Sequence, residues 1–170
     1  RLVSIDEYSE QWPLAFEQEK ARLLRSLQAD DVSIEHIGST AIPGMPSKPV
    51  IDIGIAACPG SDIPNILSGL TKLGYRHVPE LKRSLPNREF LWKGDGEHHS
   101  HHIFVMDHAS DDWRDLLNIK RLLLSRPKLA GEYAKVKKEA AYICGRDIST
   151  YVEIKQPYYQ KLLLLARQAS

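Results

Sequence analysis

Cysteine, net charge and long apolar runs are what this 170-residue sequence has least of. Its two cysteines, Cys58 and Cys144, have neither CxxC spacing nor the density of a disulfide scaffold, which points to a reducing, cytoplasmic setting and two ordinary core residues. Lysine and arginine number 23 against 22 acidic residues. A charge balance that close gives no overall basic field, so the sequence carries no strong nucleic-acid signal and any anion site must be local. No apolar run approaches the ~20 residues needed to cross a bilayer. The longest, Leu162 to Ala166, is too short even for a signal-peptide core, and no membrane partner is expected. The chain starts at Arg1 without a methionine, which leaves a lost targeting segment open. What is present is enough apolar content, 42%, for a sizeable core, and residues 1–170 read as a single domain.

Periodicity places the elements. Ser9 can cap a helix with Pro13 in its first turn and Trp12, Phe16, Leu23, Leu24 and Leu27 near helical spacing, down to about Gln28. A short strand over 32–37 leads into residues 38–47, whose two glycines and two prolines preclude a regular element. Residues 48–56 are β-branched and read as a central strand, with Ile51, Ile53 and Ile55 on one face and Val50, Asp52 and Gly54 on the other. A helix follows from Ser61 or Asp62 to a glycine stop at Gly74, then an edge strand over 75–78. Residues 89–93 and 100–107 flank Gly94-Asp95-Gly96 as a hairpin. From Ser110 the pattern is helical: Trp113, Leu116, Leu117 and Leu123 first, then Leu129, Tyr133, Val136, Ala140 and Ile143 after Pro127, ending at Gly145. A last helix over 150–168 should kink or restart at Pro157. The fold class expected is α+β: a small mixed sheet flanked by helices, with a helical C-terminal third.

The segment richest in chemistry is His36-Ile37-Gly38-Ser39-Thr40, followed by Asp52 on the next strand. A glycine lets the backbone approach a phosphate, a serine hydroxyl and loop amides can hydrogen-bond its oxygens, and a strand-borne carboxylate can hold a bridging Mg²⁺. The same residues also fit a plain turn and a strand-end aspartate.

The longer string Glu35-His36-Ile37-Gly38-Ser39-Thr40-Ala41-Ile42-Pro43-Gly44, with Lys48-Pro49-Val50-Ile51-Asp52-Ile53 after it, resembles the signature of the GrpB (UPF0157-like) family, also found appended to some dephospho-CoA kinases. Trp12-Pro13, Phe90, Lys93-Gly94, His102-Ile103-Phe104-Val105, Tyr133 with Lys137 and Tyr151 with Lys155 look like further landmarks of it. The resemblance implies a nucleotidyltransferase-type fold, with Gly38, Ser39, Thr40 and Lys48 at the phosphates of a nucleotide or phosphorylated metabolite and Asp52 as catalytic residue and ligand of Mg²⁺ or Mn²⁺. In that superfamily the strand bears two carboxylates, Asp-x-Asp or Asp-x-Glu. Here the second position is Gly54, which removes a bridging ligand from a two-metal mechanism. Asp107 or Glu89 on the hairpin could substitute, though both also fit as surface residues.

His98, His99, His101 and His102 form a dense cluster. Alternate strand residues share a face, so His99 and His101 could share a Zn²⁺ or Mn²⁺, although no third ligand is evident. His102 coincides with the family pattern. Lys48, Arg88, Lys93 and Lys155 could complete an anion site. Three functions compete: a metal-dependent nucleotidyltransferase-like protein, a non-catalytic ligand-binding or interaction domain of the same fold, favoured by Gly54, and a histidine-metal hydrolase.

Overall fold

The computed structural model describes residues 3–27 and 32–170. Helix α1 spans Gln11–Ser26 and opens with the Ser9 hydroxyl accepting the Gln11 N–H at 3.2 Å. Its expected end at Gln28 lies outside the described residues. Strands β1 (Val32–Ile37) and β2 (Ile51–Ala57) pair antiparallel, joined by a segment with one 3-10 turn at Ser39–Ala41. Helix α2 (Ile63–Lys72) is capped by the Asp62 carboxylate, which accepts the Asn65 N–H at 3.2 Å. Gly74 then turns the chain at φ 92° into β3 (Arg76–His77).

The hairpin is longer than its sequence suggests, with β4 over Glu89–Asp95 and β5 over His98–Asp107. Strand β5 lies parallel to β2, giving a mixed five-stranded sheet in the order β1-β2-β5-β4-β3. One face carries Ile51, Ile53, Ile55, Leu91, Ile103 and Val105 and is covered by α1 and α2. The other carries Asp52, Gly54, Ala56, His102 and Phe104, with Trp113 packed against it from α3 (Asp111–Ser125).

Helices α4 (Pro127–Cys144) and α5 (Ile148–Gln168) complete the C-terminal third. Pro157 does not restart α5, which runs as one helix through it. The inward stripe of α4 also differs from its apolar periodicity. Tyr133, Lys137, Ala140 and Cys144 are buried, whereas Ile143 is 66% exposed. A lysine therefore occupies a core-facing position.

Ile42 and Met45, in the segment between β1 and β2, are buried among Ile119, Leu122, Leu123, Tyr133, Leu162 and Ala166 of the three helices. Mutual backbone hydrogen bonds between Asp6 and Ser47, at 2.8 and 2.9 Å, tie down its far end. This irregular segment is thus fixed by burial and pairing rather than by local propensity.

Candidate functional site: a lysine-lined turn beside an Asp–His–His row

β1 ends where β2 begins, so Ile37 lies opposite Asp52 and the next residue, Gly38, turns directly over the carboxylate. Gly38 has φ 71°, and a Cβ there would stand 2.6 Å from Asp52 Oδ2. Both the left-handed backbone and the close approach require glycine. Ser39 opens the 3-10 turn, with the Ala41 and Ile42 amides closing on Gly38 and Ser39 carbonyls at 3.2 and 3.1 Å.

Thr40 points inward. It is fully buried, and His36 Nε2 lies 2.9 Å from its hydroxyl. His36 stacks on Phe16 at 4.7 Å, and burial, with Lys120 adding to it, pulls its pKa down to about 4, so the ring is neutral. The His36–Thr40 pair anchors the turn from within and turns the Thr40 hydroxyl toward the core.

Asp52 is the sole carboxylate supplied by its strand to this end of the sheet. Gly54, two residues on and facing the same way, has its missing side chain replaced by Trp113: a Cβ would lie 2.8 Å from the indole and 3.3 Å from Ile37. The position that holds a second acid in the expected pattern is therefore filled by packing. The proposed substitutes do not reach it either. Glu89 pairs with Val105 on the opposite face and is held by Lys82 and by His77 at 2.9 Å. Asp107 lies at the far end of β5, where it accepts the Ala109 N–H at 2.7 Å.

Lys93 also faces away, toward α1, where it bonds Glu19 at 2.6 Å and sits over the Tyr75 ring. Arg88 is neutralised by Asp112 at 2.8 Å. Lys48 and Lys155, by contrast, converge: their ammonium groups lie 5.1 and 4.3 Å from the centre of the Tyr151 ring. They are joined by Lys137, which is 2% exposed, donates to the Pro46 carbonyl at 2.6 Å and lies 5.6 Å from the Tyr133 ring centre.

The three lysines share one electrostatic neighbourhood. Burial brings Lys137 down to about 7 and Lys155 to about 8, and lowers Lys48 as well. Lys155 and Lys48 push Lys137 down further, Lys48 does the same to Lys155, and Asp52 works in the opposite direction on all three. Among the described residues none of the three has a carboxylate within ion-pair distance. Tyr133, whose phenol is raised chiefly by burial and eased by its contact with Ser39, ties the cluster to the turn.

The histidines divide between the two faces. A β-bulge between Lys93 and Gly94 shifts the register, so that Lys93 pairs with His101 but Gly94 pairs with His99. A Cβ on Gly94 would stand 1.9 Å from the His98 carbonyl, so the bulge needs glycine. The extra residue rotates His99 onto the face of His102, leaving His101 on the other side among Glu19 and Lys93. His99 and His101 cannot share a metal. Instead His99 Nδ1 lies 2.8 Å from His102 Nε2, and His102 Nδ1 lies 3.4 Å from Asp52 Oδ1. Trp92 stacks on His99 at 4.0 Å, and Phe90 meets His102 edge-on at 5.1 Å. His98 is exposed at the hairpin end.

Among the described residues no group of three His, Cys, Asp or Glu side chains is placed to hold a metal ion. One carboxylate amid three ammonium groups, with its neighbouring ligand position filled by an indole, does not fit a chain-held Mg²⁺ or Mn²⁺. Lys137 entered the sequence reading only as a family landmark beside Tyr133, and His99 only as a metal partner of His101. A lysine four residues after Tyr133 on a buried helical stripe was the available signal for the first; the bulge gave none for the second.

No helix among the described residues is long and apolar enough to cross a membrane. Comparison with known proteins agrees with the architecture. The chain is 34% identical over 157 residues to a UPF0157 protein of Pseudomonas aeruginosa, covering 89% of this chain and 62% of that one. It is 30% identical over 158 residues to the UPF0157 protein YqkA of Bacillus subtilis, covering 93% and 45%. The chain thus spans about half to three fifths of the length of these two relatives. The crystal structure of the conserved protein GrpB from Enterococcus faecalis superposes with a TM-score of 0.86 at 25% identity, covering 98% of both chains. A chain of the GLD-2/RNP-8 complex superposes with a TM-score of 0.55 at 11% identity over 86% of this chain and 59% of that one, a likeness of nucleotidyltransferase fold alone. The GrpB protein family profile matches residues 2–164, and with the Gly38–Asp52 turn and this fold in place the chain belongs to the GrpB family.

Proposed function

We propose that this chain binds a nucleotide or another phosphorylated small molecule, with phosphate oxygens against the Gly38–Ser39 turn and the ammonium groups of Lys48, Lys137 and Lys155. The observation that carries this reading is the convergence on one turn, which already supplies a hydroxyl, of three lysines without carboxylate partners among the described residues. Desolvating three like charges side by side is costly, and a bound anion offsets that cost.

The reading is one of binding. Two-metal nucleotidyl transfer needs a second ligand where Trp113 packs on Gly54, and a histidine-held metal needs a group of three ligands that the described residues do not bring together. A divalent ion in this reading travels on the ligand's own phosphates, so pyrophosphate binding persists without added Mg²⁺ or Mn²⁺.

Calorimetric titration with pyrophosphate and the four nucleoside triphosphates tests it. Charge-assisted hydrogen bonds contribute about 1.5–3 kcal/mol, so Lys48→Met and Lys155→Met should each weaken binding by roughly tenfold or more. Unchanged affinity in the double variant would refute the phosphate site. Pyrophosphate release from a triphosphate, abolished by Asp52→Asn, would show instead that the chain is an active transferase.

A further inference from the structure

We propose that Asp52, His102 and His99 form a proton relay, in which the carboxylate orients two imidazoles in series so that His99 presents an unprotonated Nε2 to a hydroxyl of the bound molecule. The inference rests on the phosphate-site reading for the identity of that molecule, but not for the relay itself.

The geometry assigns the protons. Two imidazole nitrogens 2.8 Å apart, His99 Nδ1 and His102 Nε2, need one hydrogen between them. His102 Nδ1 faces a carboxylate oxygen at 3.4 Å, so in the neutral ring this nitrogen carries the proton, since two lone pairs facing each other would repel. His102 Nε2 must then be the acceptor, His99 Nδ1 the donor, and His99 Nε2 the bare nitrogen. Among the described residues His99 Nε2 has no hydrogen-bond partner of its own. The ring is held from the side by Trp92, stacked at 4.0 Å and 13°, and Trp92 is in turn covered by the Arg76 guanidinium at 4.8 Å.

Proton transfer along this row balances without a further reactant. The ligand O–H bond breaks and its proton joins His99 Nε2, while the oxygen keeps the electron pair. The Nδ1 proton of His99 passes to His102 Nε2. His102 becomes an imidazolium whose Nδ1–H faces Asp52, and the new positive charge lies beside the carboxylate.

The surroundings of His99 favour its neutral ring. Burial, His102 and the Lys48 ammonium all disfavour a protonated His99, while Asp52 also interacts electrostatically with Lys137 and Lys155. On the opposite face, His101 and Lys93 sit beside Glu19. Asp52 and Glu19 are the acids facing this part of the sheet from either side, and only Asp52 aligns with the row. His102 is a positioning residue in this scheme; His99 is the group that meets the ligand.

Long-range proton–nitrogen NMR on the ligand-free protein at pH 8 reads each tautomer directly. Both His99 and His102 are expected in the Nδ1–H form. In Asp52→Ala, His102 loses its acceptor and moves its proton to Nε2, donating now to His99 Nδ1, so His99 switches to the Nε2–H form two rings away from the substitution. His102→Phe, which keeps an aromatic ring at this position and releases His99 alone, provides the same switch should Asp52→Ala fail to fold. A packing role for these rings moves no proton. Finding His99 in the Nε2–H form in the unmodified protein, or in the same form in all three proteins, would overturn the relay. Because no ligand is present, that result leaves the phosphate reading standing, and failure of pyrophosphate to bind leaves the relay standing.

Discussion

Anion binding at this site should take up protons. Lys137 falls from an ordinary 10.5 to about 7 and Lys155 to about 8, because both are buried beside further ammonium groups. At pH 8 roughly nine-tenths of Lys137 and half of Lys155 are therefore neutral. An anion placed among them favours the charged forms, and full charging takes up about 0.9 proton at Lys137 and about 0.5 at Lys155. Sulfate is the cleanest probe, since it has no titrating proton at this pH. The measurement is isothermal calorimetry in buffers of differing ionisation enthalpy, where the slope of observed heat against buffer enthalpy is the number of protons taken up. At pH 6 both ammonium groups are already charged, so the slope should fall to about 0.1, and sulfate should bind about twentyfold more tightly there than at pH 8. Lys137→Met should cut the pH 8 slope to about 0.5, the share of Lys155. A zero slope at pH 8, or one untouched by Lys137→Met, would show that the cluster does not meet the anion.

The same shift makes the ligand-free protein gain stability as pH rises. The unfolded chain holds the Lys137 proton up to 10.5 and the folded chain releases it near 7, so the cost of charging is complete below pH 7 and is relieved between pH 7 and 10.5. The span is on the order of 5 kcal/mol for this group, and urea midpoints of the parent against Lys137→Met across that range should diverge at the acid end, with the parent the less stable. Gly54→Asp should fail to create a metal site and should destabilise by about 3 kcal/mol or more, because the new side chain meets the Trp113 indole; enhanced Mn²⁺ affinity in a normally folded variant would contradict this. Gly38→Ala meets both a positive φ and the Asp52 carboxylate, and should cost about 1–3 kcal/mol in thermal unfolding while weakening pyrophosphate binding. Gly94→Ala cannot keep the bulge against the His98 carbonyl, so it should rotate His99 away from His102, and its NMR tautomer should change as it does in His102→Phe.

Much of the architecture was decided locally. Alternation of Ile51, Ile53 and Ile55 against Asp52 and Gly54 sets which face of β2 is apolar, and Pro127, Gly74 and Gly145 stop or start helices through their own backbone preferences. The Gly38–Ser39 turn above Asp52 also follows from order along the chain, since consecutive antiparallel strands bring their joined ends together. Three things came only from tertiary structure. The side chain missing at Gly54 is replaced by Trp113, which lies 59 positions along the chain and was legible only as a helix core residue. His99 faces His102 rather than sharing a face with His101, because one bulge reverses the two-residue period that strand reading assumes. Lys137 enters the core because α4 turns that stripe toward the Gly38–Ser47 segment, where the Pro46 carbonyl accepts its hydrogen bond. Periodicity reports which residues share a face, but the partner that face meets depends on how separate elements dock, and the chemistry of this site lies in those meetings.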